Sequence, residues 1–275
     1  MTENTGAEPT GSDLLVARRG EAVWVTLNRP HRLNALTASL MAQLRALWRE
    51  LATDTDVRCV VITGAGRGFC SGADIELLAS DRSDAAVDVA EELSFLPGRH
   101  LDVPVIALVN GACSGGGLHF VADADIAIAA RSARFSDPHV TVGAVSALEP
   151  ASLLLRMRGD VLRRMVLLGA AGSIDAAEAH AAGLVSEVVD DSELVTRAEE
   201  LVAAICAGSP TAVAISRRLL REAEHDLIDR VLARGWAAIR AHWHHPDAAE
   251  GPAAWKARRT PTWAPRTAPT RLLTR

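Results

Sequence analysis

Asn110-Gly111-Ala112-Cys113-Ser114-Gly115-Gly116-Gly117-Leu118-His119 follows the apolar run Pro104-Val105-Ile106-Ala107-Leu108-Val109 and leads into a segment of helical character. A buried strand, a glycine turn and a helix start form the repeating unit of an α/β sheet with parallel pairing. Three successive glycines leave a backbone that no side chain shields. Their N–H groups can approach a ligand closely, and the helix start adds partial positive charge. Such a spot suits a developing oxyanion. Tight packing of strand against helix around small residues accounts for the same glycines equally well.

A second segment of the same kind lies upstream. Gly64-Ala65-Gly66-Arg67-Gly68-Phe69-Cys70-Ser71-Gly72-Ala73-Asp74-Ile75 follows the apolar run at 57–62. Two such turns offer two backbone donors to one oxygen. Around them, residues 14–18 and 22–27 read as strands flanking the hairpin signal Gly20-Glu21. Leu40, Met41, Leu44, Leu47, Trp48 and Leu51 mark one face of a helix over 37–52. A strand at 57–63, a helix at 83–100, a strand at 105–109, a short helix from Gly116 and a strand at 125–129 follow.

Helices dominate from about residue 147: 161–168, 175–182 with Gly183 as C-cap, and 193–206. After Ser209-Pro210 a long helix is expected to about Trp243, with Val213, Leu219, Leu220, Leu227, Val231 and Leu232 on its buried side. Leu77, Leu78, Leu93, Phe95 and Leu96 suggest an apolar pocket wall, and helix packing explains them equally well.

Composition sets the outer bounds. The chain has 275 residues, 49% hydrophobic and 23% charged, with a net charge of −5. That is enough apolar material for a sizeable core, and no basic surplus argues for nucleic acid. The apolar runs are too short to span a bilayer. Residues 1–13 are polar and lack a signal pattern, so a disordered tail and a cytoplasmic location are expected. Cys59, Cys70, Cys113 and Cys206 show no metal-ligand spacing and read as reduced thiols. A catalytic role for Cys70 or Cys113 is the minor alternative.

The motifs in order resemble the crotonase (enoyl-CoA hydratase/isomerase) superfamily. The matching pieces are Asn28-Arg29-Pro30 through Asn34-Ala35-Leu36, Gly68-Phe69-Cys70-Ser71-Gly72-Ala73-Asp74, residues 104–117, Ala124-Asp125-Ile126-Ala127, residues 135–143 and Ala181-Ala182-Gly183-Leu184-Val185. The resemblance implies an α/β fold, a crotonase-type spiral of repeated ββα units, over residues 14–205. It further implies a helical trimerisation region at 206–250 and a Pro/Arg-rich tail at 251–275. A homotrimer or dimer of trimers is then the expected assembly. It implies an acyl-CoA thioester substrate, coenzyme A entering only as part of that substrate, with no separate cofactor and no metal.

Carried over residue by residue, the oxyanion donors are the amides of Ala73 and Gly116. Arg32, Ala35, Ser71, Asp74, Ile75, Arg258 and Arg259 fall where the family contacts CoA. Asp74 reads equally as a helix N-cap, and Arg258 and Arg259 also fit a solvated surface tail.

The departures matter more than the match. The family's hydratases carry a glutamate two residues after the glycine triplet and another after a proline further on. This chain has His119 and Pro138-His139 there. Histidine is a competent acid–base group near neutral pH, but the usual carboxylate pair is absent and ordinary hydration is placed in doubt. Glu149 is the expected partner of His139, or else a helix-start acid before Pro150. His242, His244 and His245 are expected to favour a helix's negative end or to face solvent. Three functions fit: a lyase or isomerase of acyl-CoA thioesters run by His119, His139 and Glu149; a hydrolase of a β-dicarbonyl carbon–carbon bond; or a non-catalytic acyl-CoA binder.

Overall fold

A computed structural model describes residues 12–74, 77 and 87–266. Strands β1 (Leu14–Arg19) and β2 (Ala22–Leu27) form the hairpin expected around Gly20. β2 pairs in parallel with β3 (Cys59–Gly64), which continues through β5 (Val105–Val109) and β7 (Ile126–Ala130) to β10 (Glu187–Val189). The result is one six-stranded sheet in the order β1-β2-β3-β5-β7-β10. Short strands β4 (Gly68–Cys70), β6 (Ala112–Ser114), β8 (Arg134–Ser136) and β9 (Ile174–Asp175) make a second, four-stranded sheet.

Each long strand β3, β5 and β7 is therefore followed at once by a short strand in the other sheet. That repeat is one turn of the spiral, and the α/β crotonase fold is the one observed. The central strands are buried on both faces, which is why they read as unbroken apolar runs. Val60, Ile62, Val105, Ala107 and Val109 face the main core. Cys59, Val61, Ile106, Leu108 and Ile128 face the helix Leu194–Cys206 through Leu194 and Ala198.

The helix Ala38–Leu51 starts at Thr37, whose hydroxyl accepts from the Leu40 amide (3.1 Å). It buries Leu40, Leu44, Leu47, Trp48 and Leu51, each large apolar side chain contributing about 2 kcal/mol. Trp48 Nε1 donates to Phe95 O (2.7 Å) and ties this helix to the pocket wall.

Several expectations are corrected. The helix predicted at 83–100 is, within the described residues, a single turn, Val89–Glu92, because Pro97 has no amide to continue it. The residues before 87 in that stretch, and Ile75 and Leu78, lie outside the described residues. Ser12 and Asp13 are not a loose tail: their carbonyls accept from Asn28 (2.9 and 2.7 Å). The boundary at 250/251 falls inside the helix Pro246–Lys256, and of the described residues those from 257 to 266 run on without helix.

The long helix Pro210–His242 is present, but its inward face is not the expected one. Arg217, Arg221, Leu232 and Trp236 are buried, whereas Leu219, Leu220, Leu227 and Val231 are exposed. Asp123 and Asp125 draw the arginines inward (2.9 and 2.7 Å), and the apolar stripe turns away. Among the described residues no single helix is long and apolar enough to cross a membrane.

Candidate active site

Two side-chain amides, the buried Asn34 and the half-buried Asn110, hold the first glycine turn. Asn34 Nδ2 donates to Ala65 O (3.0 Å) and Gly68 O (2.8 Å). Asn110 Oδ1 accepts from Gly64 N (3.1 Å), and its Nδ2 donates to Gly66 O (2.9 Å). The turn after β3 is thereby pinned to the end of β5 and to the segment that carries Asn34. Gly72 stands at φ +88°, and a Cβ there would lie 2.9 Å from Gly116 N. At Gly117 a Cβ would come 2.3 Å from Cys70 O, so only glycine admits this approach. Leu36 bridges Ala73 through Gly72 O and Asp74 N (2.8 Å each), a pattern that leaves the Ala73 amide out of the ladder. Among the described residues neither the Ala73 nor the Gly116 amide has an acceptor.

Ala73 and Gly116 line one cavity of about 350 Å³, and His119, His139 and Glu149 line it too. His119 sits in the first turn of the helix Gly117–Asp123 and His139 begins the tight turn His139–Val142. Glu149 lies in the first turn of the helix Leu148–Leu153. Glu149 Oε1 stands 3.2 Å from His119 Nε2 and 3.6 Å from His139 Nε2. His119 and Glu149 are buried, and His139 is the more open of the three.

Burial alone raises the Glu149 carboxyl. The charges of His139 and His119, with a hydrogen bond from His119, outweigh it and hold the group well below the usual carboxylate range. Glu149 is thus both the helix-start acid before Pro150 and a partner of the two imidazoles, and it is 5% exposed.

A residue the sequence reading missed completes the group. Asp137 is 1% exposed, and its Oδ1 lies 2.6 Å from His139 Nδ1 and accepts from the His139 amide (3.3 Å). Ser146 Oγ donates to Asp137 Oδ2 (2.5 Å). A buried carboxylate on Nδ1 keeps the proton there and leaves Nε2 on the side of Glu149. The signal was present in Asp137-Pro138-His139: an aspartate accepting the amide two residues on is an Asx-turn.

The CoA-contact residues divide. Ser71 Oγ donates to Arg32 O (3.1 Å), and Arg32 is exposed beside it. Ala35 is buried and its carbonyl accepts from Arg29 Nη1 (2.6 Å). Arg29 also pairs with Asp74 (3.0 Å), which is buried. Arg259 is engaged by Glu250 (2.5 and 2.8 Å) and Arg258 is exposed.

Cys59, Cys70 and Cys113 are buried. Burial pushes the Cys59 and Cys70 thiols up to about 12 and Cys113 well above its usual value, so none supplies a thiolate near neutral pH. No metal-holding cluster of three ligands occurs among the described residues. His242 stands in the last turn of the long helix, as expected, and also lines the cavity, its Nε2 2.8 Å from Gly143 O and its ring stacked on His245. Leu77, Leu93 and Phe95 also line it, whereas Leu96 faces a smaller void behind His119.

The sequence matches the profile of the enoyl-CoA hydratase/isomerase family over residues 18–266. It is 35% identical over 220 residues to enoyl-CoA hydratase EchA19 of Mycobacterium tuberculosis, covering 78% of this chain and 82% of that one. It is 32% identical over 251 residues to the 2,3-dehydroadipyl-CoA hydratase of Escherichia coli, covering 91% and 98%. Among solved structures, the carnitinyl-CoA hydratase of Mycobacterium avium superposes with a TM-score of 0.80 at 30% identity, covering 91% of this chain and 98% of that one.

Proposed function

Because the chain belongs to the enoyl-CoA hydratase/isomerase family, we propose that it binds an acyl-CoA thioester and polarises its carbonyl between the Ala73 and Gly116 amides. The observation that supports this reading is the shared cavity wall: Ala73 and Gly116, whose amides have no acceptor among the described residues, line the same cavity as His119, His139 and Glu149. Charge grows on the thioester oxygen only as the α-proton leaves, and fixed donors then stabilise it without reorganising. His139 Nε2, backed by Asp137, takes the α-proton, and the electron pair moves onto the oxygen as an enolate. His119 and Glu149 hold the proton that returns to carbon or to a leaving group. Arg32 and Ser71, joined by a hydrogen bond, are the residues taken to contact the CoA moiety. Nothing in this scheme asks for a metal or a further cofactor.

Two histidines in place of two glutamates separate this site from an ordinary hydratase, which activates water between carboxylates. The Asp137–His139 pair favours a second reading. Water deprotonated by His139 adds to the β-carbonyl of a 3-oxoacyl thioester, the carbon–carbon bond breaks, and its electrons form the same enolate. Protonation at the α-carbon then releases a shorter thioester and a carboxylate. The exposed stripe Leu219, Leu220, Leu227 and Val231 supports assembly into a homotrimer or dimer of trimers, and a cytoplasmic enzyme fits the composition.

Incubating the protein with butyryl-CoA and with a 3-oxoacyl-CoA in D2O tests the reading. Deuterium at the α-carbon, seen by mass spectrometry, is the expected result, and chain cleavage of the 3-oxo thioester identifies the hydrolase. Rapid loss of the conjugated absorbance of crotonyl-CoA without α-exchange contradicts it.

A further inference from the structure

The chain is poor in aromatic residues, with 4 Phe, 6 Trp and no Tyr. Yet Phe95, Trp236 and Trp243 all line the cavity that His119, His139 and Glu149 line. Trp236, Ile239 and Trp243 recur at the spacing that brings helix residues to one face, at the end of the long helix Pro210–His242 and just past it. The two indoles meet edge to face, with centroids 5.5 Å apart and planes at 84°. Trp236 Nε1 donates to Val87 O (2.8 Å), which fixes that ring. Phe95 is buried beside His119, with centroids 6.2 Å apart and planes at 79°. Among the described residues, the ionisable side chains lining the cavity apart from His119, His139 and Glu149 are Glu92 and His242.

We infer that this cavity is shaped for a planar ring, so that the preferred thioester carries an aromatic acyl group rather than a straight alkyl chain. The inference rests on the acyl-CoA reading above and adds the substrate class. A perpendicular indole pair offers a ring face and a ring edge at once, and a third ring inserted beside it finds the offset or T-shaped geometry that aromatic quadrupoles favour. A rigid ring gives up few rotors on entry whereas an alkyl chain gives up several. A cavity for alkyl chains needs only aliphatic walls, and this chain, with few aromatic residues, commits three here.

Calorimetric titration of the full-length protein with CoA, butyryl-CoA, octanoyl-CoA and phenylacetyl-CoA tests it. Phenylacetyl-CoA is expected to bind about tenfold more tightly than butyryl-CoA or octanoyl-CoA. Trp243→Leu is expected to bring that ratio near one with CoA affinity unchanged. Trp236→Phe, which keeps a ring at that position, is expected to keep most of the preference and serves if the first variant fails to fold. Equal or tighter binding of the alkyl thioesters, or an unchanged ratio in Trp243→Leu, overturns the ring assignment alone. Failure of CoA and every thioester to bind overturns the acyl-CoA reading and this inference with it.

Discussion

Glu149 Oε1 and His119 Nε2 stand 3.2 Å apart, although 30 positions separate the two residues in the chain. The same oxygen lies 3.6 Å from His139 Nε2, so one buried carboxylate serves two imidazoles. Replacing Glu149 by glutamine keeps the shape and removes the charge. Glu149→Gln should lower the rate of α-proton exchange by about 100-fold or more, with the far-ultraviolet circular dichroism spectrum unchanged.

The same carboxylate makes stability depend on pH. Its folded-state pKa lies below the unfolded value of about 4.3. A depressed carboxyl contributes stability above the unfolded value and loses it as pH falls through the folded one. Near pH 6 Glu149→Gln should therefore be less stable than the parent by about 2–3 kcal/mol. The gap should narrow steadily below about pH 4. Urea midpoints at pH 3, 4 and 6 measure it, and a gap that widens in acid contradicts the assignment.

Asp137 fixes the ring that does the exchange. In Asp137→Asn the amide can donate to Nδ1 and place the proton on Nε2 instead. Turnover should fall by a factor of about 10² to 10⁴ while CoA affinity stays put. A flattened pH–rate profile would accompany the loss. Ser146→Ala, which removes one donor to Asp137, should show a smaller change in the same profile.

Gly72 separates the two glycine turns by backbone alone. A methyl group there meets Gly116 N and Ser114 O at 2.9 Å and forces a residue into φ +88°. Gly72→Ala should cost about 1–3 kcal/mol of stability. It should also cost about 10² to 10³ in rate, the usual price of losing an oxyanion donor. Melting curves and exchange kinetics on one preparation separate the two effects.

The apolar stripe on the long helix bears on assembly. Leu219 and Leu227 are each more than 60% exposed in the single chain. A double change, Leu219→Glu with Leu227→Glu, should shift light-scattering mass toward the monomer and leave the secondary structure intact. An unchanged mass places the interface elsewhere.

Much of this architecture is written in local pattern. Unbroken apolar runs at 105–109 and 59–62 specify two-sided strands wherever they sit. The face marked by Leu40, Leu44, Leu47 and Leu51, with Thr37 before it, specifies a helix and its start. The glycine turns could be read because their spacing follows from close backbone approach.

Other features depend on where distant segments come to rest. Periodicity marks Leu219, Leu220, Leu227 and Val231 as an apolar face, but cannot say which face of that helix turns inward. Asp123 and Asp125 decide it by pairing with Arg221 and Arg217, residues roughly ninety positions away. Asp137 was in view in the sequence, yet its contact with His139 needs the turn to close. Glu149 becomes part of the site only when two helices and a turn converge. Sequence determines the elements and their order, because those follow from local backbone and side-chain preferences. The charge environment of the candidate site is a sum over groups brought together in space, and only the folded chain performs that sum.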